Sequence, residues 1–150
     1  MRDSALDRIL ETLAAAPRQH RLIALGWATV DTDRAAAELA AELGMTAGAF
    51  LPAADSIVLG ARCRVVDGVL SGGPRLAILE PVTEGLLAAA LARHDEGPSV
   101  TWMQSSDTPG GRASALLRPG PFGPERLQLG GPPQGPFVLL VEHEPGTIHT

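Results

Sequence analysis

The sequence contains no lysine and no tyrosine, and it has a single cysteine, Cys63. One cysteine excludes an internal disulfide and a zinc cluster built from cysteines, and it is typical of a protein in a reducing cytoplasm. No apolar segment approaches the ~18 residues of a membrane span, and residues 1–16 lack the apolar core of a signal peptide. We therefore expect a cytoplasmic protein that does not enter a membrane.

Positive charge is also scarce. All twelve basic side chains are arginines, the formal net charge is -5 and the isoelectric point is about 5.3. A chain without a basic surface is not expected to bind nucleic acid as its main partner. Its 150 residues, of which 45% are hydrophobic, suffice for one globular domain with its own core.

Three helices are predicted from apolar spacing and capping residues. The first begins after Ser4 and ends before Pro17, with one apolar face formed by Leu6, Ile9, Leu10 and Leu13. The second follows the acidic segment 31–33, whose residues cap its first turn, and ends at Gly44. The third begins after Thr83.

Eight short strands are predicted between turns that are rich in Gly and Pro. They cover residues 20–30, 56–59, 61–66, 75–80, 100–104, 115–118, 126–129 and 137–143. Residues 97–136 contain eight Gly and eight Pro, a density that excludes long helices there. In each half one strand is followed by three more, and Trp27 and Trp102 stand at similar places, which suggests a duplicated module.

Three segments resemble the glyoxalase-like, vicinal-oxygen-chelate (VOC) superfamily. Leu22–Ala35 (LIALGWATVDTDRA) is similar to the first strand–helix junction of these proteins. Arg75–Pro81 (RLAILEP), the apolar helix after it and Arg93–Pro98 (RHDEGP) are similar to the middle of methylmalonyl-CoA epimerases. The resemblance implies an α+β fold in which two βαβββ modules form a cupped, incomplete barrel with a ligand cavity inside.

The resemblance also implies a division of the chain. We expect an extra N-terminal helix in residues 1–18 and a single VOC-like domain in residues 19–150. Within that domain, module one covers residues 20–81, a linker helix residues 82–97 and module two residues 98–146. The second module departs from the family pattern, because the segment after Asp107 leaves no room for its usual helix.

Family members hold a divalent cation with His side chains and carboxylate or amide oxygens that converge from four cavity strands. The resemblance places the first-strand His position at Ala24 and the fourth-strand Glu or Gln position at Ala77. Neither alanine carries a metal-ligating atom. The resemblance therefore implies a metal-free cavity and no cofactor.

The two remaining ligand positions depend on the register of the second module. The His position falls on Val100 if Asp107 sets the register, or on Ser99 if the two Trp residues do. The last-strand position falls on Val141, or on Glu142 after a slip of one residue. A single carboxylate does not hold a metal, so the conclusion is the same in each register.

Other residues of the cavity strands are candidates for chemistry. His143 is on the face of Val141, where an imidazole is a candidate general base, or else it is a His at a fraying strand end. Trp102 and Gln104 share the face of Val100 and together suit a planar ligand, although Trp102 equally suits a core position.

Arg62 and Arg64 alternate with Cys63 on the third strand. Paired arginines on one strand face suit a carboxylate or phosphate clamp, and a solvated strand face is the commoner explanation. Cys63 has no base beside it in the sequence, so we interpret it as a buried structural residue.

Two functional classes follow from these residues. In the first, the protein is an isomerase, epimerase or cyclase that acts on an enolisable carbonyl compound. Gln104 or an arginine would then stabilise the enolate, with His143 or Glu142 as the base. In the second, the cavity only binds a small molecule, as bleomycin-type resistance proteins do. Aromatic residues make up only 3% of the chain, which favours the enzyme.

The shortened second module also predicts assembly. Without a covering helix, the sheet behind residues 115–117 and 127–129 is expected to be exposed, and exposed edges or apolar faces favour association. The N-terminal helix is expected to cover that surface within the chain or in a partner. We therefore expect a homodimer.

Overall fold

Three helices and seven strands make up the described part of the chain. The computed structural model describes residues 4–15, 21–68, 70, 74–93, 95–104, 117–128 and 136–141. The helices are α1 (Ala5–Ala15), α2 (Thr32–Leu43) and α3 (Leu86–Arg93), and the strands are β1 (Arg21–Ala28), β2 (Leu51–Ser56), β3 (Ala61–Val66), β4 (Arg75–Pro81), β5 (Gly97–Gln104), β6 (Glu125–Leu127) and β7 (Phe137–Val141). None of these helices is long and apolar enough to span a lipid bilayer.

The strands form one curled sheet in the order β2–β3–β4–β1–β5–β7–β6. At its centre β1 and β5 are antiparallel. The same pairing then repeats outward on both sides: β4 is parallel to β1 and antiparallel to β3, while β7 is parallel to β5 and antiparallel to β6. This α+β half-barrel confirms the fold class that was predicted from the sequence.

The pairing of β1 with β5 decides the register between the two halves. Ala24 lies opposite Trp102, and Gly26 lies opposite Val100. A local two-fold axis that passes between these two residue pairs relates the two halves of the sheet. Under this symmetry, Ala24 corresponds to Val100 and Gly26 corresponds to Trp102. Trp27 is one residue further along β1, so its side chain lies on the opposite face from that of Trp102. The register based on the two Trp residues is therefore wrong, and the register based on Asp107 agrees with the pairing.

The sheet buries both of its faces. On one side, which we call the helix face, α2 packs against β4, and α1 packs against α2 and β5. Ile9 and Leu39 are buried there in one apolar cluster with residues of β1 and β4. On the other side, which we call the concave face, α3 contributes Leu87 to a second apolar cluster. The sheet curls towards this second face, because the edge strands β2 and β6 meet over it through a hydrogen bond between Ser56 and Glu125.

Local hydrogen bonds confirm the predicted beginnings of two helices. The Ser4 hydroxyl accepts the amide of Asp7 at 3.1 Å, and the Asp31 carboxylate accepts the amide of Arg34 at 3.1 Å. Gly44 ends α2 in the left-handed conformation, with φ +73°.

The buried stripe of α1 is narrower than predicted. Ile9 is completely buried, and Ala5 and Leu13 pack beside it, whereas 48% of Leu10 is exposed. The main contacts of α1 are with α2 and β5, and these two elements cover the residues at the spacing i, i+4 and i+8. The helix packs within its own chain against α2 and β5, and not against β6, whose sheet surface it was expected to cover.

The prediction of a strand at residues 56–59 was wrong. The strand is Leu51–Ser56, and a turn follows it up to Gly60, whose φ is +69°. As an edge strand, β2 leaves most of its side chains exposed and tolerates Pro52, so the usual apolar alternation is missing.

The second module has fewer described strands than predicted. In the predicted strand 115–118, residues 115 and 116 lie outside the described residues, Leu117 is not in a strand, and Arg118 forms only an isolated bridge with Glu125. The strand predicted at 126–129 begins one residue earlier and is described as Glu125–Leu127. The end of the last predicted strand, residues 142–143, lies outside the described residues.

Candidate functional site

The centre of the concave face is occupied by the indole of Trp102, which is completely buried. Gly26 lies beneath it. A Cβ atom on Gly26 would be 2.8 Å from the indole Cζ3 and 2.6 Å from Cδ1 of Leu79. Phe122 packs edge-on against the same indole, with ring centroids 4.9 Å apart. The small residues of β1 therefore leave room for the Trp side chain of the neighbouring strand.

A buried carboxyl group lies beside this indole. Glu125, the first residue of β6, is completely buried. Its Oε1 accepts a hydrogen bond from Nε1 of Trp102 at 2.9 Å, and its Oε2 accepts one from the hydroxyl of Ser56 at 2.7 Å. Burial raises the pKa of the Glu125 carboxyl to about 6, although the two hydrogen bonds act in the opposite direction.

The contact between Ser56 and Glu125 also joins the two edges of the curled sheet. Ser56 ends β2 and Glu125 begins β6, the two outermost strands. Next to this contact, the amide of Ile57 donates to the carbonyl of Pro119 at 3.2 Å. A Cβ atom on Gly120 would collide with the Glu125 carboxylate, so the backbone of this loop covers the carboxyl group closely.

Cys63 belongs to the same apolar cluster. Burial raises the pKa of its thiol to about 12, and the negative charges of Glu125 and Asp55 act in the same direction. A thiol with so high a pKa is not a nucleophile near neutral pH. This agrees with the interpretation of Cys63 as a structural residue.

Solved structures of known proteins share this arrangement of strands. The methylmalonyl-CoA epimerase of Mycobacterium tuberculosis matches with a TM-score of 0.62 at 19% identity, over 89% of this chain and 97% of that one. A variant of the Streptomyces coelicolor methylmalonyl-CoA epimerase, in complex with 2-nitronate-propionyl-CoA, matches with a TM-score of 0.60 at 20% identity, over 82% and 96%. A hypothetical protein of Bacillus halodurans C-125 matches with a TM-score of 0.60 at 13% identity, over 85% and 96%. No protein-family model and no curated protein matches the chain.

The fold is the one seen in the methylmalonyl-CoA epimerase structures, as the resemblance to VOC proteins predicted.

All four positions at which the resemblance implied a metal ligand belong to the described residues. Ala24, Ala77, Val100 and Val141 all lie in the concave-face cluster, and all are buried. By strand pairing, the equivalent of Ala77 in the second half is Leu139, which is also buried and apolar. None of these side chains has a ligand atom, so the residues present do not fit a divalent cation.

The rest of the described chain agrees with this result. Within it, no three His, Cys, Asp or Glu side chains are grouped as a metal would require. Ser99, the alternative to Val100, lines a separate cleft beside α1 and α3. Glu142 lies outside the described residues. The described residues therefore provide no set of side chains that would hold a divalent cation.

The structure separates the remaining predicted site residues. Gln104 is half-buried on β5, two residues from Trp102 and opposite Val141. Arg62 and Arg64 lie on the helix side of β3, where they line a cavity of about 320 Å³ at the start of α2. They are therefore not beside Trp102. His143 lies outside the described residues.

Acidic groups already occupy the cavity of the two arginines. Nη1 of Arg64 is 3.1 Å from Oδ1 of Asp33. Glu80 accepts hydrogen bonds from the amide and the hydroxyl of Thr32 at 2.9 and 2.6 Å, and these bonds lower the pKa of Glu80. Carboxylates of the chain itself thus bind the N-terminus of α2 and one of the two arginines. This favours a structural role for the arginines over a clamp for an external anion.

Sequence reasoning did not identify Glu125 as a candidate. The predicted strand began at Arg126, which left Glu125 in a turn between Pro124 and the strand. One signal was present: Glu125 is the only acidic residue of the sequence between Asp107 and Glu142. Its partners, Ser56 and Trp102, are 69 and 23 residues away along the chain, so the contact itself was not predictable.

Proposed function

We propose that this chain is a metal-independent VOC-fold protein that binds a small organic molecule on its concave face and moves a proton on it. The reaction class is that of an isomerase acting on an enolisable carbonyl compound. One observation carries the proposal: Glu125 has a pKa of about 6 and lies among apolar side chains, where two hydrogen-bond donors fix its carboxyl group. Carboxyl groups tuned in this way are typical general bases.

Each of the three polar side chains has a defined part in the proposed reaction. The Glu125 carboxylate removes a proton from the carbon next to the carbonyl, and the electron pair of that C–H bond forms the enolate. Return of the proton to the carbon completes the isomerisation. Ser56 and Trp102 orient the carboxylate. The half-buried amide of Gln104, two residues from Trp102 on β5, is the proposed donor for the enolate oxygen. His143 or Glu142 remains a candidate for a second acid or base.

Access to Glu125 requires a change in the loop above it. The carboxyl group is completely buried, and the backbone at Gly120 covers it. A substrate therefore reaches Glu125 only when residues 117–124 move aside. Closure of such a segment would exclude water from the enolate.

Exchange of the substrate proton with deuterated water tests the proposal. Methylmalonyl-CoA is a suitable first substrate, because it is bound in one of the similar epimerase structures. A panel of CoA thioesters of other 2-substituted acids extends the test. We expect exchange at the α-carbon with the wild type, and a rate about 10²–10⁴-fold lower with Glu125→Gln. The exposed Glu84 provides a matched control, Glu84→Gln, which should retain full exchange.

A second candidate function is binding without catalysis. It is favoured by the apolar side chains at all four positions where the resemblance implied metal ligands. Under this alternative, Trp102→Ala weakens ligand binding, whereas His143→Ala and Glu125→Gln leave it within a few fold. Under the enzyme proposal, the two latter variants lose turnover and keep ligand affinity. Wild-type protein that binds a thioester but never exchanges its proton would favour the binding protein.

We further propose that each chain contains two modules, at residues 20–81 and 98–146, and that two chains form a homodimer. We propose that this dimer is cytoplasmic and has neither a nucleic-acid nor a membrane partner. The repeated pairing on the two sides of β1 and β5 supports the modules. The exposed edge strand β2, where 62% of Leu51 is accessible, supports association. The net charge of -5 argues against a nucleic-acid partner, and the lone Cys63 supports a cytoplasmic location. The described helices include none that could span a membrane.

A further inference from the structure

A cleft lies outside the concave face, at the end of the sheet where β5 and β7 begin. It is enclosed by α1, α3 and the first residues of β5, and we call it the α1–α3 cleft. Its volume is about 420 Å³, which lies within the usual range for sites that hold a small organic molecule. The side chains of Trp102, Glu125 and Ser56 take no part in it.

Arg8 of α1 is the cation of this cleft. Its guanidinium lies over the ring of Trp27, with Cζ 5.2 Å from the ring centroid. It also lies against the backbone of Gly97, where a Cβ atom would collide with it. Within the described residues, no hydrogen bond or ion pair engages the guanidinium. Arg8 is thus held in place by an aromatic ring and a glycine while its N–H donors stay available.

The other side chains that line the cleft restrict the kinds of ligand that it can bind. Glu11 and Asp95 also line it, so its side chains sum to one negative charge and do not favour a polyanion such as a diphosphate. Leu91 and Pro136 provide apolar walls. A guanidinium that is fixed in orientation suits the two oxygens of a carboxylate.

We propose that the α1–α3 cleft binds a small organic monocarboxylic acid with an apolar body, whose carboxylate pairs with Arg8. This binding is separate from the proposed proton transfer. Trp27 and Trp102 lie on opposite faces of the sheet, and no residue of the cleft touches Glu125 through a hydrogen bond in the described chain. Failure of one proposal therefore leaves the other unaffected.

The test compares an acid with its uncharged amide. Ligand-observed NMR measures the affinity for 3-phenylpropanoate and for 3-phenylpropanamide, and the Arg8 Nε–H resonance locates the bound acid. We expect saturable binding of the acid, a shift of that resonance, and at least about tenfold weaker binding of the amide. Arg8→Gln should weaken acid binding by a similar factor.

Two further variants separate geometry from charge. Gly97→Ala keeps every charge but displaces the Arg8 guanidinium, so it should also weaken binding of the acid. The exposed Arg93, which does not line the cleft, provides the matched control Arg93→Gln, and this variant should bind the acid like the wild type. Equal affinities for acid and amide, undiminished binding by Arg8→Gln, or no saturable binding at all would overturn the proposal. Arg8 is half-buried and belongs to neither apolar cluster, so Arg8→Gln is expected to fold and decides the matter even if Gly97→Ala does not.

Discussion

The ionisation of Glu125 is expected to influence folding between weakly acidic and neutral pH. It is completely buried, and its pKa is raised from 4.5 to about 6, chiefly because burial disfavours the charged form. The folded protein therefore binds this proton more tightly than the unfolded chain does. The resulting stability is fully present below about pH 4.5 and is lost as the pH rises through about 6.

This linkage predicts a difference between the wild type and Glu125→Gln. The free energy of unfolding of the wild type should fall by about 2 kcal/mol, relative to the variant, between pH 4.5 and pH 7. Urea unfolding at a series of pH values measures both proteins. Glu80 and Glu96 have lowered pKa values and act in the opposite direction, but they are present in both proteins and cancel in the difference. Parallel stability curves would show that Glu125 is not the source of the effect.

At Gly26 the backbone of β1 lies in close contact with two side chains of the concave-face cluster. We expect Gly26→Ala to destabilise the protein by about 1–3 kcal/mol, because the new methyl group would overlap Leu79 and Trp102 in a packed core. Gly48→Ala is the matched control, since a Cβ there has no neighbour within 4 Å. Thermal or urea unfolding compares the two variants. Equal stabilities would mean that the indole of Trp102 yields space easily.

Among the elements, α1 depends on a contact with α2. The Glu42 carboxylate, near the end of α2, accepts hydrogen bonds from the amides of Ala5 and Leu6 at 3.1 and 2.8 Å. These amides have no partner within their own helix. A negative charge near them also interacts favourably with the helix dipole.

Glu42→Ala should therefore loosen the first turn of α1 by about 1 kcal/mol. Hydrogen exchange of the α1 amides measures the change. Glu38→Ala, on the same helix, removes a charge that is 61% exposed and lies 3.6 Å from Arg34, and it should leave α1 unchanged. The same exchange rates in both variants would assign the anchoring of α1 to Ile9 alone.

For the whole molecule, native mass spectrometry reports metal content and subunit number in one measurement. We expect a mass of two chains. We also expect no stoichiometric metal, because the positions at which the resemblance implied metal ligands are apolar. Added Mn²⁺, Ni²⁺ or Zn²⁺ should not raise the melting temperature, since a cation without a site does not stabilise the folded state. A bound metal would overturn the metal-independent proposal. A single chain's mass across micromolar concentrations, measured by light scattering, would count against the dimer.

Local sequence was sufficient wherever a feature depends on neighbours along the chain. Asp31 and Gly44 delimit α2 because a cap and a left-handed glycine act within one turn. The strand segments around Ala24, Ala77 and Val100 identified the fold, and their apolar character already indicated that a metal had no ligands there.

Only the tertiary structure decided the features that depend on pairing between distant strands. Alternation placed Arg62 and Arg64 on one face of β3, but the position of α2 determined that this is the helix face. The register of β1 against β5 placed Trp27 and Trp102 on opposite sides of the sheet. The curl of the sheet then brought Ser56 to Glu125, because two edge strands without sequence similarity meet only when the whole half-barrel has formed.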